Sequence, residues 1–146
     1  MYQPRPMQTR KLNAIDLPPD SAAQDDLAID IGVPSKIALV IKHMQVRILF
    51  PVVEPMTLGR SRADNDGSSF IDLQQFGADD LGVSRKHMRL WSENGELFIE
   101  DLASLNHSRL NGNLLEGHTP QRIRHGDQIA LGGLELKVEF IFDFLA

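Results

Sequence analysis

From Ile37 onward the chain alternates apolar and polar residues in short runs, and this period-two pattern is that of half-buried β-strands. Segments Ile37 to Lys42, Gln45 to Phe50, Phe70 to Leu73, His87 to Trp91, Glu96 to Glu100, Gln128 to Leu131 and Leu134 to Phe142 are rich in Val, Ile, Leu and Phe. Between the runs stand Asn65-Asp66-Gly67, Asn94-Gly95, Asn111-Gly112 and Gly132-Gly133, which supply the positive-φ residues that tight turns require. The stretch from Trp91 to Phe98, centred on Asn94-Gly95, reads as a hairpin. Only Asp72 to Asp80 offers a helical turn, and no amphipathic helix of ordinary length is present. The pattern predicts an all-β fold, a two-sheet antiparallel β-sandwich with its ligand loops at one end.

Residues 1–35 differ from the rest. Five of the eight prolines fall there (Pro4, Pro6, Pro18, Pro19, Pro34), with Asp20, Asp25, Asp26 and Asp30 and no aromatic residue after Tyr2. So little to bury predicts a flexible Pro/Asp-rich tail ahead of a domain over 36–146. Leu27, Ile29 and Ile31 alternate and suit a short docked strand, and Thr9 and Ser21 are candidate phosphorylation sites.

With 146 residues, 42% of them hydrophobic, the chain can bury one sizeable core. It has no cysteine, which excludes disulfides and thiolate metal sites and suits a reducing compartment. Met1 to Lys11 lacks the apolar core of a signal peptide, and no apolar run approaches the ~20 residues of a membrane helix, so a soluble, cytoplasmic protein is expected. Fifteen basic against twenty acidic residues give a net charge of -5, which disfavours nucleic acid and anionic membranes as partners. Yet Arg60 and Arg62 share one loop, and Arg85, Lys86 and Arg89 fall in or just after another. A basic spot on an acidic domain suits a small anionic ligand.

The candidate chemistry lies in Gly59-Arg60-Ser61, Ser84-Arg85-Lys86-His87 and Asn106. Arginine, serine and asparagine together suit a phosphate on a peptide, because a guanidinium fork matches phosphate oxygens while hydroxyl and amide donors complete the shell. None of the five histidines (His43, His87, His107, His118, His125) pairs at a recognised metal-ligand spacing, and Ser84 lacks a Gly-x-Ser-x-Gly elbow. A binding module is expected, with neither enzymatic activity, cofactor nor metal.

The order Leu58-Gly59-Arg60-Ser61, Ser84-Arg85-Lys86-His87, Asp101 to Ser108 with Asn111-Gly112, and Gly126-Asp127-Gln128-Ile129 with Leu131-Gly132 resembles the forkhead-associated (FHA) domain over roughly residues 37–142. The resemblance implies a sandwich of about eleven strands whose loops bind phosphothreonine peptides without catalysis. It implies that Arg60 contacts the phosphate, that Ser84 donates its hydroxyl, that Arg85 adds a second side-chain contact, and that Asn106 hydrogen-bonds the peptide backbone. Gly59, His87, Asn111 and Gly112 take structural support, with His87 bracing the site from behind. Ser108 matches a position that shapes the loop.

The chain departs from the family where Ser-Thr-Asn-Gly-Thr is common and Ser104-Leu105-Asn106-His107-Ser108 stands instead. Leu105 removes a hydroxyl, which costs about 1.5 to 3 kcal/mol if nothing replaces a charge-assisted hydrogen bond. His107 replaces a glycine, and histidine is among the residues that tolerate positive φ. Its imidazole is also a candidate phosphate donor. The expected function is recognition of phosphothreonine on a partner protein in Ser/Thr-kinase signalling; the alternative is a phosphorylation-independent interaction scaffold with a drifted phosphate site. A phosphorylated Thr9 folding back in cis is a further candidate ligand.

Overall fold

A computed structural model of the chain describes residues 34–61 and 69–142. The tail with Thr9, Ser21, Leu27, Ile29 and Ile31, the loop residue Arg62, and the turn Asn65-Asp66-Gly67 lie outside the described residues.

Eleven strands form two sheets. They are β1 (Lys36–Ile41), β2 (Val46–Pro51), β3 (Met56–Gly59), β4 (Ser69–Asp72), β5 (Met88–Glu93), β6 (Glu96–Asp101), β7 (Ser108–Leu110), β8 (Asn113–Leu114), β9 (Gln121–Ile123), β10 (Gln128–Leu131) and β11 (Leu134–Ile141). One sheet has the order β2-β1-β11-β10-β7-β8 and the other β4-β3-β5-β6-β9. The pairing is antiparallel except between β3 and β4, which run parallel with Thr57 opposite Phe70. Among the described residues a single 3-10 turn, Gln74–Phe76, falls inside the one segment whose pattern allowed a helical turn.

Alternation explains the core. In β11, Leu134, Leu136 and Val138 are buried while Glu135 and Lys137 face solvent. The antiparallel register sets Val138 opposite Leu39 and Leu136 opposite both Ile41 and Ile129, so the apolar faces of three strands coincide. The second sheet answers with Met56, Leu58, Met88, Leu90, Leu97, Ile99 and Ile123. Burying a Leu or Ile side chain contributes about 1.5 to 3 kcal/mol, and this shared face holds the two sheets together.

Turn chemistry fixes the register. Asn94 (φ 53°) with Gly95 (φ 80°) and Asn111 (φ 50°) with Gly112 (φ 86°) both have the paired positive φ of type I′ hairpins, joining β5 to β6 and β7 to β8. Asn111 does more than turn the chain. Its amide oxygen accepts from Gln128 N–H at 2.9 Å and its Nδ2 donates to Asp127 at 3.1 Å, pinning the hairpin to β10.

Most strand ends lie one or two residues from where the sequence pattern put them, and Ser35, Gly59 and His87 are among the residues affected. Ser35, assigned to the tail, donates both its N–H and its hydroxyl to the Ile141 carbonyl, because the last strand offers an unpaired acceptor there. Gly59 closes β3, so it belongs to a strand rather than a loop. His87 precedes β5 and does not start it, since its N–H and C=O bond Leu58 and Leu102 outside the regular ladder.

Leu90 is fully buried, with Met56 and Ile99 opposite it on the flanking strands. Leu90→Ala is expected to lower the unfolding free energy in urea by about 2 to 5 kcal/mol. Leu49→Ser, at a side chain 53% exposed on the edge strand β2, is expected to stay within about 0.5 kcal/mol of wild type.

Candidate functional site

The loops following β3, preceding β5 and following β6 meet at one end of the sandwich, and backbone contacts hold them there. Gly59 packs so closely that a Cβ would lie 1.8 Å from the Arg85 carbonyl oxygen. No side chain fits, which is why glycine must precede Arg60. The Arg60 N–H then donates to the Ser84 carbonyl at 3.3 Å, and its Nε donates to the Val83 carbonyl at 2.7 Å. Asp79 lies 3.7 Å from the same Nε. With Nε anchored, the two terminal nitrogens of the guanidinium fork have no partner among the described residues.

Ser84 is fixed through three atoms. Its carbonyl accepts from Arg60, its N–H donates to His87 Nδ1 at 2.9 Å, and its Oγ accepts from the Leu105 N–H at 3.1 Å. An oxygen that accepts still has its own proton to give, so the Ser84 hydroxyl remains a donor. Asn106 resembles it in this respect. One Nδ2 hydrogen goes to the Gly82 carbonyl at 3.0 Å, which leaves a second amide hydrogen and the amide oxygen, one donor and one acceptor, without a partner among the described residues. Arg60, Asp79, Gly82, Val83, Ser84, Leu105 and Asn106 line a cleft of about 210 Å³.

Arg85 follows Ser84 in the chain and is exposed, but it is not among the residues that line this cleft, and it pairs with no carboxylate among the described residues. Ser61 turns the other way, donating its N–H to Asp72 and its hydroxyl to Gln74. Asn111 and Gly112 belong to the β7–β8 hairpin and reach none of the cleft atoms.

Behind the cleft the imidazole of His87 is completely buried. Because Nδ1 accepts from Ser84, the proton sits on Nε2, which donates to the His107 carbonyl at 2.9 Å. Burial holds its pKa below the usual 6.5, against the opposing pulls of the His107 carbonyl and Asp101. The ring is neutral and bridges two loops.

Beside it Asp101, 3% exposed, ends β6 on the core face opposite Met88. Its carboxylate accepts from Ser104 N–H at 3.0 Å, Ser104 Oγ at 2.5 Å and Ser108 Oγ at 2.6 Å. Burial alone would raise its pKa, but these donors and the nearby His87 hold it below the usual 3.8. Sequence reasoning gave Asp101 and Ser104 no role, although Asp-x-x-Ser is a signal for a carboxylate that caps its own turn. Ser108 is buried on this carboxylate, so it shapes the loop from below. Asp79 and Gly82 carried no local signal at all; their contacts to Arg60 and Asn106 span about twenty residues of chain.

At the two departures the backbone is intact. His107 takes φ 67°, and its carbonyl accepts from both His87 and the Gly132 N–H at 3.0 Å. Leu105 contributes its N–H to Ser84, while its side chain is 81% exposed at the cleft. Among the described residues no three His, Asp or Glu side chains gather as metal ligands would.

The two buried titrating groups predict acid instability. His87 resists protonation when folded and accepts it near 6.5 when unfolded, so its contribution is complete above that pH and declines as pH falls below it. Asp101, depressed when folded, adds a second loss as pH falls below 3.8. Urea unfolding followed from neutral pH downward should show stability falling in two stages, and His87→Gln should flatten the first. Gly59→Ala should destabilise the domain by more than Gly95→Ala, whose Cβ meets open space and adds only the positive-φ strain of about 1 kcal/mol. Differential scanning calorimetry ranks the two.

A family model described as the FHA domain matches residues 56–132, a span that contains every cleft residue. An FHA domain-containing protein of Arabidopsis thaliana is 40% identical over 65 residues, which are 44% of this chain and 17% of that relative. Among solved structures, the FHA domain of an Arabidopsis thaliana hypothetical protein matches at TM-score 0.61 and 26% identity, over 79% of this chain and 94% of that one. The MEK1 FHA domain, solved in complex with a HOP1 phosphothreonine peptide, matches at TM-score 0.52 and 23% identity, over 74% of this chain and 97% of that one. By its matched sequence, its two-sheet sandwich and the order of its cleft residues, this chain belongs to the FHA domain family.

Proposed function

We infer that this domain binds phosphothreonine on partner proteins and acts as a reader downstream of Ser/Thr kinases. The observation that carries the reading is the convergence on one cleft of Arg60's open fork, Ser84's hydroxyl proton and the free half of the Asn106 amide. A structural neighbour captured with a phosphothreonine peptide supports it.

Charge makes phosphorylation the switch. A phosphothreonine brings about -1.5 to -2 charges at neutral pH, which Arg60 and Arg85 attract and the free hydroxyl does not supply. Asn106 orients the peptide backbone across the loops. The apolar contacts available to a γ-methyl group are worth about 0.8 kcal/mol, roughly fourfold in preference for threonine over serine. Against an association cost of ~4 to 15 kcal/mol, so few contacts give a weak, reversible complex suited to signalling.

A second reading, phosphorylation-independent binding, draws on Leu105. Its exposed side chain lines the cleft at the position where the family resemblance implies a hydroxyl, and an apolar wall suits an unmodified peptide.

Calorimetric titration separates the two. A degenerate phosphothreonine peptide pool should bind wild type saturably while its unphosphorylated twin does not, and Arg60→Ala should weaken binding by about ten- to more than a hundredfold. Equal binding of the twin, unaffected by Arg60→Ala, would establish the scaffold instead. Leu105→Thr, which restores a hydroxyl without removing the N–H bond to Ser84, should tighten phosphopeptide binding several-fold in the same assay.

A further inference from the structure

The segment from Gly77 to Gly82 divides two concave surfaces. Asp79 and Gly82 line the cleft at Arg60, while Gly77, Asp80 and Leu81 line a larger cavity of about 410 Å³ on the other side. Three elements wall that cavity, and backbone bonds fix all three. The segment closes on itself through Leu81 N–H to the Gly77 carbonyl at 3.0 Å and Val83 N–H to Ala78 at 2.9 Å. Gly133, in the turn between β10 and β11, donates to the Leu81 carbonyl at 2.8 Å. Lys42, just past the end of β1, donates its N–H to the Glu135 carbonyl at 3.1 Å. The cavity is therefore built into the frame that also positions Val83 and Ser84.

Its charge is opposite to that of the phosphate spot. Asp80 and Glu135 line it together with Lys42 and His43, and Lys42 lies 3.4 Å from Glu135 and also donates to Gln128 at 2.9 Å, which leaves the Asp80 carboxylate as the one its wall does not pair among the described residues. Asp79 extends the same sign toward the cleft. A peptide anchored by its phosphate at Arg60 and continuing in this direction passes from a basic spot onto an acidic one. Leu81 supplies an apolar floor, with a methyl group 3.4 Å from where a Gly133 Cβ would stand. That combination fits the long methylene stem and cationic head of lysine or arginine better than any other side chain.

We propose that the domain selects phosphothreonine peptides that carry a basic side chain a few residues from the phosphate, its head drawn to Asp80 and Glu135 beside Leu81. This rests on the phosphopeptide reading above and narrows it to a ligand class: phosphosites embedded in basic sequence, such as basophilic kinases produce. An acidic side chain at the same place meets Asp80 and Glu135 and is disfavoured.

The test is fluorescence anisotropy with one phosphothreonine peptide in which lysine, alanine or glutamate is walked through each flanking position. At one position lysine should bind about three- to fivefold tighter than alanine, with glutamate weaker than both, and added salt should shrink the difference. Asp80→Lys, at an exposed side chain, should reverse the order so that glutamate binds best. Indifference to charge at every position would overturn the inference and leave phosphopeptide recognition standing. A lysine preference unchanged in both Asp80→Lys and Glu135→Gln would also overturn it, by locating the effect elsewhere. Failure of every phosphopeptide to bind would remove the phosphopeptide reading, and this inference with it.

Discussion

The neutral imidazole of His87 is the interaction on which the cleft end of the sandwich depends. Its Nδ1 takes the Ser84 N–H and its Nε2 gives a proton to the His107 carbonyl, so one buried ring holds two loops that leave different strands. A residue able only to donate, or only to accept, would leave one buried backbone group unsatisfied, at about 1 to 3 kcal/mol. The Asp101 carboxylate repeats the strategy one layer away by gathering Ser104 and Ser108, and its Oδ1 lies 4.0 Å from His87 Nε2. Desolvating both groups costs stability that the two hydrophobic sheets supply. The return is a set of loops whose backbone is fixed before any ligand arrives.

The sequence disclosed the frame where the signal is local. Asn94-Gly95 and Asn111-Gly112 turn the chain where the dipeptides said they would, and the clean alternation of Leu134 to Val138 marks a strand with one buried face. Strands β7, β8 and β9 escaped the pattern because each has only two or three residues, too few for a period to declare itself. Glycine at the end of β3 also resembled a loop signal, when its cause is the 1.8 Å contact that a Cβ would make across the fold. The cleft residues Arg60, Ser84 and Asn106 were legible through their order and a family resemblance. Asp79, Gly82 and Asp101 were not, because their partners are brought to them only by folding, or, for Asp101, because burial turns a common turn carboxylate into a core group.

Leu105 and His107 show what such a frame tolerates. His107 accepts a left-handed backbone because its carbonyl is gripped from two sides, and the strain stays local. Leu105 offers the cleft no side-chain hydroxyl, yet its N–H is given to Ser84. Substitution at these places alters what the cleft offers to a ligand without loosening the loops that form it.

This division between main chain and side chain has an evolutionary consequence. The loops are held by the carbonyls of Leu58, Val83, Ser84 and His107 and the amides of Ser84 and Leu105, whereas the outward side chains of Asp79, Asp80, Arg85 and Leu105 carry little of that burden. Specificity can therefore drift residue by residue while folding stays under constant selection, so duplicated copies of such a domain can diverge in what they read long before they diverge in shape.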